Sequence, residues 1–236
     1  MLAGCGGGSS RTPLDVSAAA SLRVAFGEYG KTLTTVQPRY SFAGSDALAA
    51  QIEQGVRPDV FASANTKLPE ALHAKGLLEA PVVFAANKLV IAVPSSSKLT
   101  GIAGLERPGV TISIGSATVP VGAYTLKVMG RLAPGPRRAL LANVRDREPD
   151  VTGIVGKLSE GAVDAGFLYA TDVKAAGGAL RAIQLPAALQ PQVAYAAGVV
   201  KGSAHVKQAR AFISGLLAGS GRADLLKAGF LAPPAR

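Results

Sequence analysis

Leu14–Leu22, read LDVSAAASL, is the stretch that decides the fold. Leu14 and Val16 alternate as in a strand, Ser17–Ser21 is a run of small residues, and Leu22, Phe26 and Tyr29 recur at helical spacing. The order predicts a strand, a tight turn and a helix, with Ser21 at or near the N-cap. Small side chains let a ligand approach the backbone. The first N–H groups of a helix lack internal partners and carry partial positive charge. A serine hydroxyl adds one more donor, which completes the physical recipe for an anion site. One such turn is explained as well by simple capping. Repetition is what gives it weight.

Working outward, the pattern recurs. Tyr40–Ala43 reads as a strand, Gly44-Ser45-Asp46 as a second small-residue turn, and Leu48 and Ile52 as a helix stopped by Gly55, so that Ser45 repeats the part of Ser21. Val110–Ile114 is a third strand, followed by the turn Gly115–Gly122 and a helix over 123–129, with Pro120 in its first turn. Pro134, Pro136 and Arg137-Arg138 read as a loop. Val151, Ile154, Val155 and Leu158 form an amphipathic helix that starts at Asp150-Val151. Ala165–Tyr169 is a strand ending in a tyrosine. The near-miss phosphate loop Gly27–Thr32 has its first glycine too close to Gly-Lys-Thr, and Gly30 reads as the end of the first helix.

Alternating strands and helices predict an α/β fold: two lobes with mostly parallel sheets flanked by helices, and ligands beyond the carboxyl ends of the strands. The expected division is a tether over 1–12, a first lobe over 13–84 and 189–236, and a second lobe over 85–188. The crossings are expected near 83–87 and 186–192.

Composition narrows the function. The 236-residue chain is 48% hydrophobic and 17% charged, which indicates a folded core. Its net charge is +10, but the basic residues are scattered and aromatics are 5%, which argues against nucleic acid. The longest apolar run, Pro81–Pro94, is broken by Asn87 and Lys88 and falls short of the roughly 18 residues a membrane span needs. Cys5 is the single cysteine, and His73 and His205 stand apart, so neither a disulfide nor a usual zinc site is expected. Leu2-Ala3-Gly4-Cys5 matches the lipid-attachment signal of bacterial lipoproteins and runs into a Gly/Ser tether, so Cys5 is expected to carry a lipid.

The chain resembles the molybdate-binding proteins of bacterial ABC importers, within the type II periplasmic binding proteins. The resemblance runs from about Leu14 to Phe230. It is carried by AAASL at 18–22, SFAGSDALAAQIEQG at 41–55, PDVFASA at 58–64, NKLVIAVP at 87–94, VPVGAY at 119–124, DVTGIVGKL at 150–158 and DAGFLYATD at 164–172. It implies a ligand cleft between the lobes that holds a tetrahedral oxyanion with neutral donors: the hydroxyl and amide of Ser21 and Ser45, the amides of Val121 and Val151, and the Tyr169 hydroxyl. Val121 stands where alanine is common, and Asp46 where serine is common. The resemblance further implies molybdate or tungstate as ligand, no cofactor, no direct protein–metal bond and no enzymatic activity. The expected partner is an importer permease, and the expected state a monomer outside the cytoplasm, anchored to the outer leaflet of the membrane.

The chemistry of the ligand agrees. Molybdate and tungstate are fully ionised at neutral pH and need donors alone, whereas hydrogenphosphate needs an acceptor, which Asp46 could supply. A sulfate or phosphate receptor therefore stays open. So do two other classes, a serine hydrolase using Ser17 or Ser21 and an adhesive surface lipoprotein.

Overall fold

The computed structural model describes residues 11–234, so Cys5 and most of the expected tether lie outside the described residues. The chain opens with β1 (Thr12–Ala19), a short 3-10 turn (Ala20–Leu22), α1 (Arg23–Thr32), β2 (Val36–Ala43), α2 (Ser45–Glu53), β3 (Val60–Ser63), α3 (Lys67–Ala74) and β4 (Val82–Asn87). It continues through β5 (Leu89–Pro94), β6 (Ile112–Gly115), α4 (Pro120–Gly130), α5 (Pro134–Asn143), β7 (Val144–Glu148), α6 (Val151–Ser159), β8 (Ala165–Tyr169), α7 (Ala170–Ala175) and β9 (Leu180–Gln184). It ends with β10 (Val193–Val199), α8 (Val206–Leu217) and α9 (Ser220–Ala228).

The strands form two five-stranded sheets, ordered β2-β1-β3-β10-β4 and β7-β6-β8-β5-β9. Four strands of each sheet run one way, as alternation of strand and helix requires. The fifth, β10 or β5, runs against both neighbours, so the sheets are mixed. The reason is topological. Each reversed strand is the first after the chain crosses from the other lobe. It therefore enters at the edge where the parallel strands end and must run away from it.

Only Lys88 separates β4 from β5. The segment Val83–Asn87, expected as the first crossing, is instead strand β4 of the first sheet, held by pairing such as Val193↔Asn87 and Ala194↔Ala86. The apolar run at 81–94 is thus two strands broken at the polar pair that the sequence placed inside it. The return passes through residues 185–192, between β9 and β10. A third segment follows α9, where Leu231 exchanges backbone hydrogen bonds of 2.8 and 2.9 Å with Ala86, next to the first crossing.

Helix faces follow the sequence periodicity. α6 buries Val151, Ile154 and Leu158, and α8 buries Ala209, Phe212, Ile213 and Leu216. Each large side chain so buried contributes about 1.5–3 kcal/mol. The expected loop at Pro134 and Pro136 is the start of α5. Pro134 is its first residue, where the missing N–H costs little, and Leu140 faces inward. Gly30 does not end α1, which runs to Thr32. A Cβ at Gly30 would sit 2.9 Å from the Tyr40 hydroxyl, which donates to the Phe26 carbonyl at 2.7 Å. Gly30 is small so that this tyrosine can cross the helix.

Candidate functional site

The carboxyl ends of β1, β2, β6 and β8 converge on a small cavity between the lobes. The first lobe contributes Ser21, Gly44 and Ser45 to its wall, and the second contributes Val121, Val151 and Tyr169. The cavity measures about 20 Å³. That exceeds the roughly 10–15 Å³ one water needs and is far below the several hundred of an organic-ligand pocket. It suits a compact ion of a few heavy atoms.

Helix starts surround it. α2 begins at Ser45, α4 at Pro120, α6 at Val151 and α7 immediately after Tyr169, while the turn from β1 leads into α1. Among the described residues, the amides of Ser45, Val121 and Val151 have no hydrogen-bond partner. These are the orphan donors of helix first turns, and their dipoles add positive potential at one point. Gly122 makes the α4 start possible: a Cβ there would lie 1.9 Å from the Ser116 carbonyl oxygen, so only glycine lets the helix sit this close to the end of β6.

The side-chain donors are set from below. The Ser45 hydroxyl oxygen accepts from the Ala64 amide at 3.1 Å, which leaves its proton available to the cavity. Ser45 is the first residue of α2 and makes no side-chain cap. Ser21 is not an N-cap either. It lies inside the 3-10 turn, and its hydroxyl pairs with that of Tyr195 at 2.9 Å. Tyr169 is 1% exposed, and its hydroxyl has no hydrogen-bond partner among the described residues. Burial holds that phenol well above its ordinary pKa, so it keeps its proton and can only donate usefully. Its amide donates to Asp172 Oδ2 at 3.0 Å, and burial pushes the Asp172 carboxyl up to about 7.

Among the described residues, no Lys, Arg or His lines this cavity, and the one carboxylate on its wall is Asp150, whose Oδ1 accepts from the Thr152 amide at 2.7 Å and caps α6. Asp46, the acceptor raised from the sequence, is not on the wall. All five residues expected to hold the ligand therefore meet at one void. Sequence reading did not find Asp150 as a wall residue or Tyr195 as the partner of Ser21. A larger groove of about 600 Å³ lies beyond Ser21 and Val151, bounded by α1, α6, α7 and α9. Its charged groups are of both signs, Arg23, Glu28, Asp224 and Lys227 among them, and they present no convergent set of donors.

The serine-hydrolase alternative finds no support. Ser17 is buried within β1. The arrangement nearest to a triad joins Asp59, Ser203 and His205, but the Ser203 hydroxyl donates to Asp59 Oδ1 at 2.6 Å rather than to the imidazole. His205 Nδ1 also faces Asp59, at 3.3 Å. The imidazole does not address the serine, so the order of a catalytic triad is missing and the cluster is a junction before α8. Among the described residues, no group of three or more His, Cys, Asp or Glu could hold a metal ion.

Residues 14–231 match the family model described as bacterial extracellular solute-binding protein. The molybdate-binding protein ModA of Mycobacterium bovis is 33% identical over 225 residues, 92% of this chain and 84% of that protein. A Bacillus subtilis protein named as a putative ABC transporter substrate-binding lipoprotein is 29% identical, covering 98% of this chain and 94% of that protein. The periplasmic molybdate-binding protein of Azotobacter vinelandii shares the fold, with a TM-score of 0.81 at 22% identity over 94% of this chain and 100% of that one. With a match over nearly its whole length, the chain belongs to the family of bacterial extracellular solute-binding proteins, in which the ModA proteins are its relatives.

Proposed function

We propose that this protein captures molybdate or tungstate outside the cytoplasm and delivers it to an ABC importer permease. The observation that carries the reading is the Tyr169 hydroxyl, buried, without a hydrogen-bond partner among the described residues and on the wall of an ion-sized cavity. An unpartnered buried hydroxyl costs about 1–3 kcal/mol, a cost offset when an anion accepts from it. Ser21, Ser45, Val121 and Val151 supply the other donors. Hydrogen bonds to a charged group contribute about 1.5–3 kcal/mol each, so the donors of these five residues together reach the roughly 12 kcal/mol of a nanomolar complex. A site of neutral donors suits a dianion that carries no proton. Sulfate meets the same electrostatic requirement but is the smaller ion, so donors that fit molybdate would stand farther from its oxygens.

Relatives named for molybdate binding support this choice of ligand. The lipoprotein name of the Bacillus relative supports a lipid on Cys5, and the family supports a place outside the cytoplasm. The protein needs no cofactor for this task, and one copy holds the whole donor set.

Calorimetry with molybdate, tungstate, sulfate and phosphate on wild type and Tyr169→Phe tests the proposal. Molybdate and tungstate should bind most tightly, and Tyr169→Phe should lose roughly 10- to 100-fold in affinity. The same variant should unfold, without ligand, at the wild-type temperature or above it, because it removes an unsatisfied buried group. Wild-type affinity in Tyr169→Phe would make the tyrosine a core residue. Phosphate ranking first would move the protein to phosphate capture, with Asp150 rather than Asp46 as the acceptor for the ligand proton.

A further inference from the structure

We infer that Tyr195 and Asn87 are positioning residues that aim the Ser21 proton at the ligand and fasten it to the crossing between the lobes. The inference rests on the cavity being the oxyanion site. Tyr195 is fully buried in β10, and its hydroxyl lies 2.9 Å from Ser21 Oγ and 3.5 Å from Asn87 Nδ2. Asn87 Nδ2 also donates to Thr171 Oγ1 at 2.8 Å, and Asn87 Oδ1 accepts from the Lys88 amide at 2.9 Å. The Lys88 bond fixes which end of the amide faces Tyr195, because only the oxygen can accept that N–H.

The direction of the chain follows. The Asn87 NH2 group has protons to give and none to receive. Facing it, Tyr195 presents oxygen lone pairs, so its own proton turns to the other neighbour, Ser21. Ser21 then accepts from Tyr195 and keeps its single proton for the cavity. The opposite sense would aim the Tyr195 proton at an amide nitrogen that cannot accept it. Rotation is resisted by packing, since the Tyr195 ring sits 5.8 Å from Tyr169, 5.2 Å from Phe230 and 6.2 Å from Phe84. Donors in series polarise one another, so a serine that is itself a recipient donates more strongly.

The far end of the chain lies where the lobes join. Asn87 ends β4, Lys88 is the sole residue before β5, and Thr171 belongs to α7 of the second lobe. The Lys88 carbonyl accepts from Ala170 at 2.9 Å. A ligand contact in the first lobe is thereby tied to the crossing and to a residue of the opposite lobe.

The test is a set of cycles on the full protein, read by calorimetry with molybdate. Tyr195→Phe should weaken binding roughly five- to tenfold in wild type and in a Ser45→Ala background, but less than about twofold in a Ser21→Ala background. A merely structural loosening would cost the same in both backgrounds, so equal losses overturn the inference, as does wild-type affinity in Tyr195→Phe. Ser21→Ala binding like wild type would instead overturn the reading of the cavity on which the inference stands. If Tyr195→Phe gives no folded protein, Asn87→Ala enters the same cycles with the same expectation.

Discussion

Gly44→Ala tests whether closure of the lobes is needed for tight binding. Gly44 precedes α2 with φ −57° and ψ 135°, a conformation alanine adopts without strain. An added Cβ would nevertheless lie 2.5 Å from the Pro149 carbonyl oxygen, across the cleft in the second lobe, and 2.8 Å from Asp46 Oδ1. The Asp46 side chain can turn away, but the Pro149 backbone cannot without moving its lobe. An ordinary carbon–oxygen contact is roughly 3.3 Å, so the lobes must part by about 0.8 Å at this edge. Such overpacking costs about 1–3 kcal/mol, and here the cost falls on the closed state alone. Ligand binding requires that state, so affinity for molybdate should drop roughly 5- to 150-fold. Alanine is also a poorer N-cap than glycine by up to about 1 kcal/mol, but this term acts with and without ligand and cancels from the affinity. The assay pairs calorimetry with thermal unfolding of the ligand-free protein. Affinity within twofold of wild type would refute the argument, because it would mean that the Gly44–Pro149 approach plays no part in the bound state.

Ser45→Ala should separate from Tyr169→Phe by its stability: it leaves the Ala64 amide unpaired and should cost about 1–3 kcal/mol in unfolding free energy as well as roughly 10- to 100-fold in affinity. Val121→Ala keeps the backbone donor and should bind within a few-fold of wild type; a large loss would mean that its side chain shapes the cavity. Asp172→Asn should change the pH dependence of unfolding. The folded carboxyl, pushed up to about 7 from 3.8, holds a proton that the unfolded chain has released between those values. Its contribution is therefore full below about pH 4 and is lost as pH rises through 7, with a ceiling of about 4 kcal/mol. Asparagine still accepts from the Tyr169 amide, so the variant should gain on wild type from pH 5 to pH 8 in denaturant titrations; a pH-independent difference would contradict this.

Much of this site was legible because its parts are local. A strand, a run of small residues and a helix can be read from spacing alone at Ser21, Ser45 and Val121, whereas the choice of Ser21, Ser45, Val121, Val151 and Tyr169 as the ligand set came from the resemblance to the molybdate-binding family. The start of α6 was visible in Val151, Ile154 and Leu158, and the break at Asn87-Lys88 in an otherwise apolar run. Periodicity reports which face of an element is buried, and nothing about what it is buried against. The tertiary structure therefore decided that β5 and β10 run against their neighbours, because direction depends on which edge of the sheet the chain enters. It decided that Ser21 bonds Tyr195, 174 positions away, rather than capping a helix. It placed Asp150 on the cavity wall and Asp46 off it, although both stand at helix starts, Asp150 as the N-cap of α6 and Asp46 in the first turn of α2. It also brought Gly44 against Pro149, a contact between two lobes whose closeness no local pattern encodes. Local sequence set the donors at helix starts; only the packing of one lobe on the other aimed them at a single point.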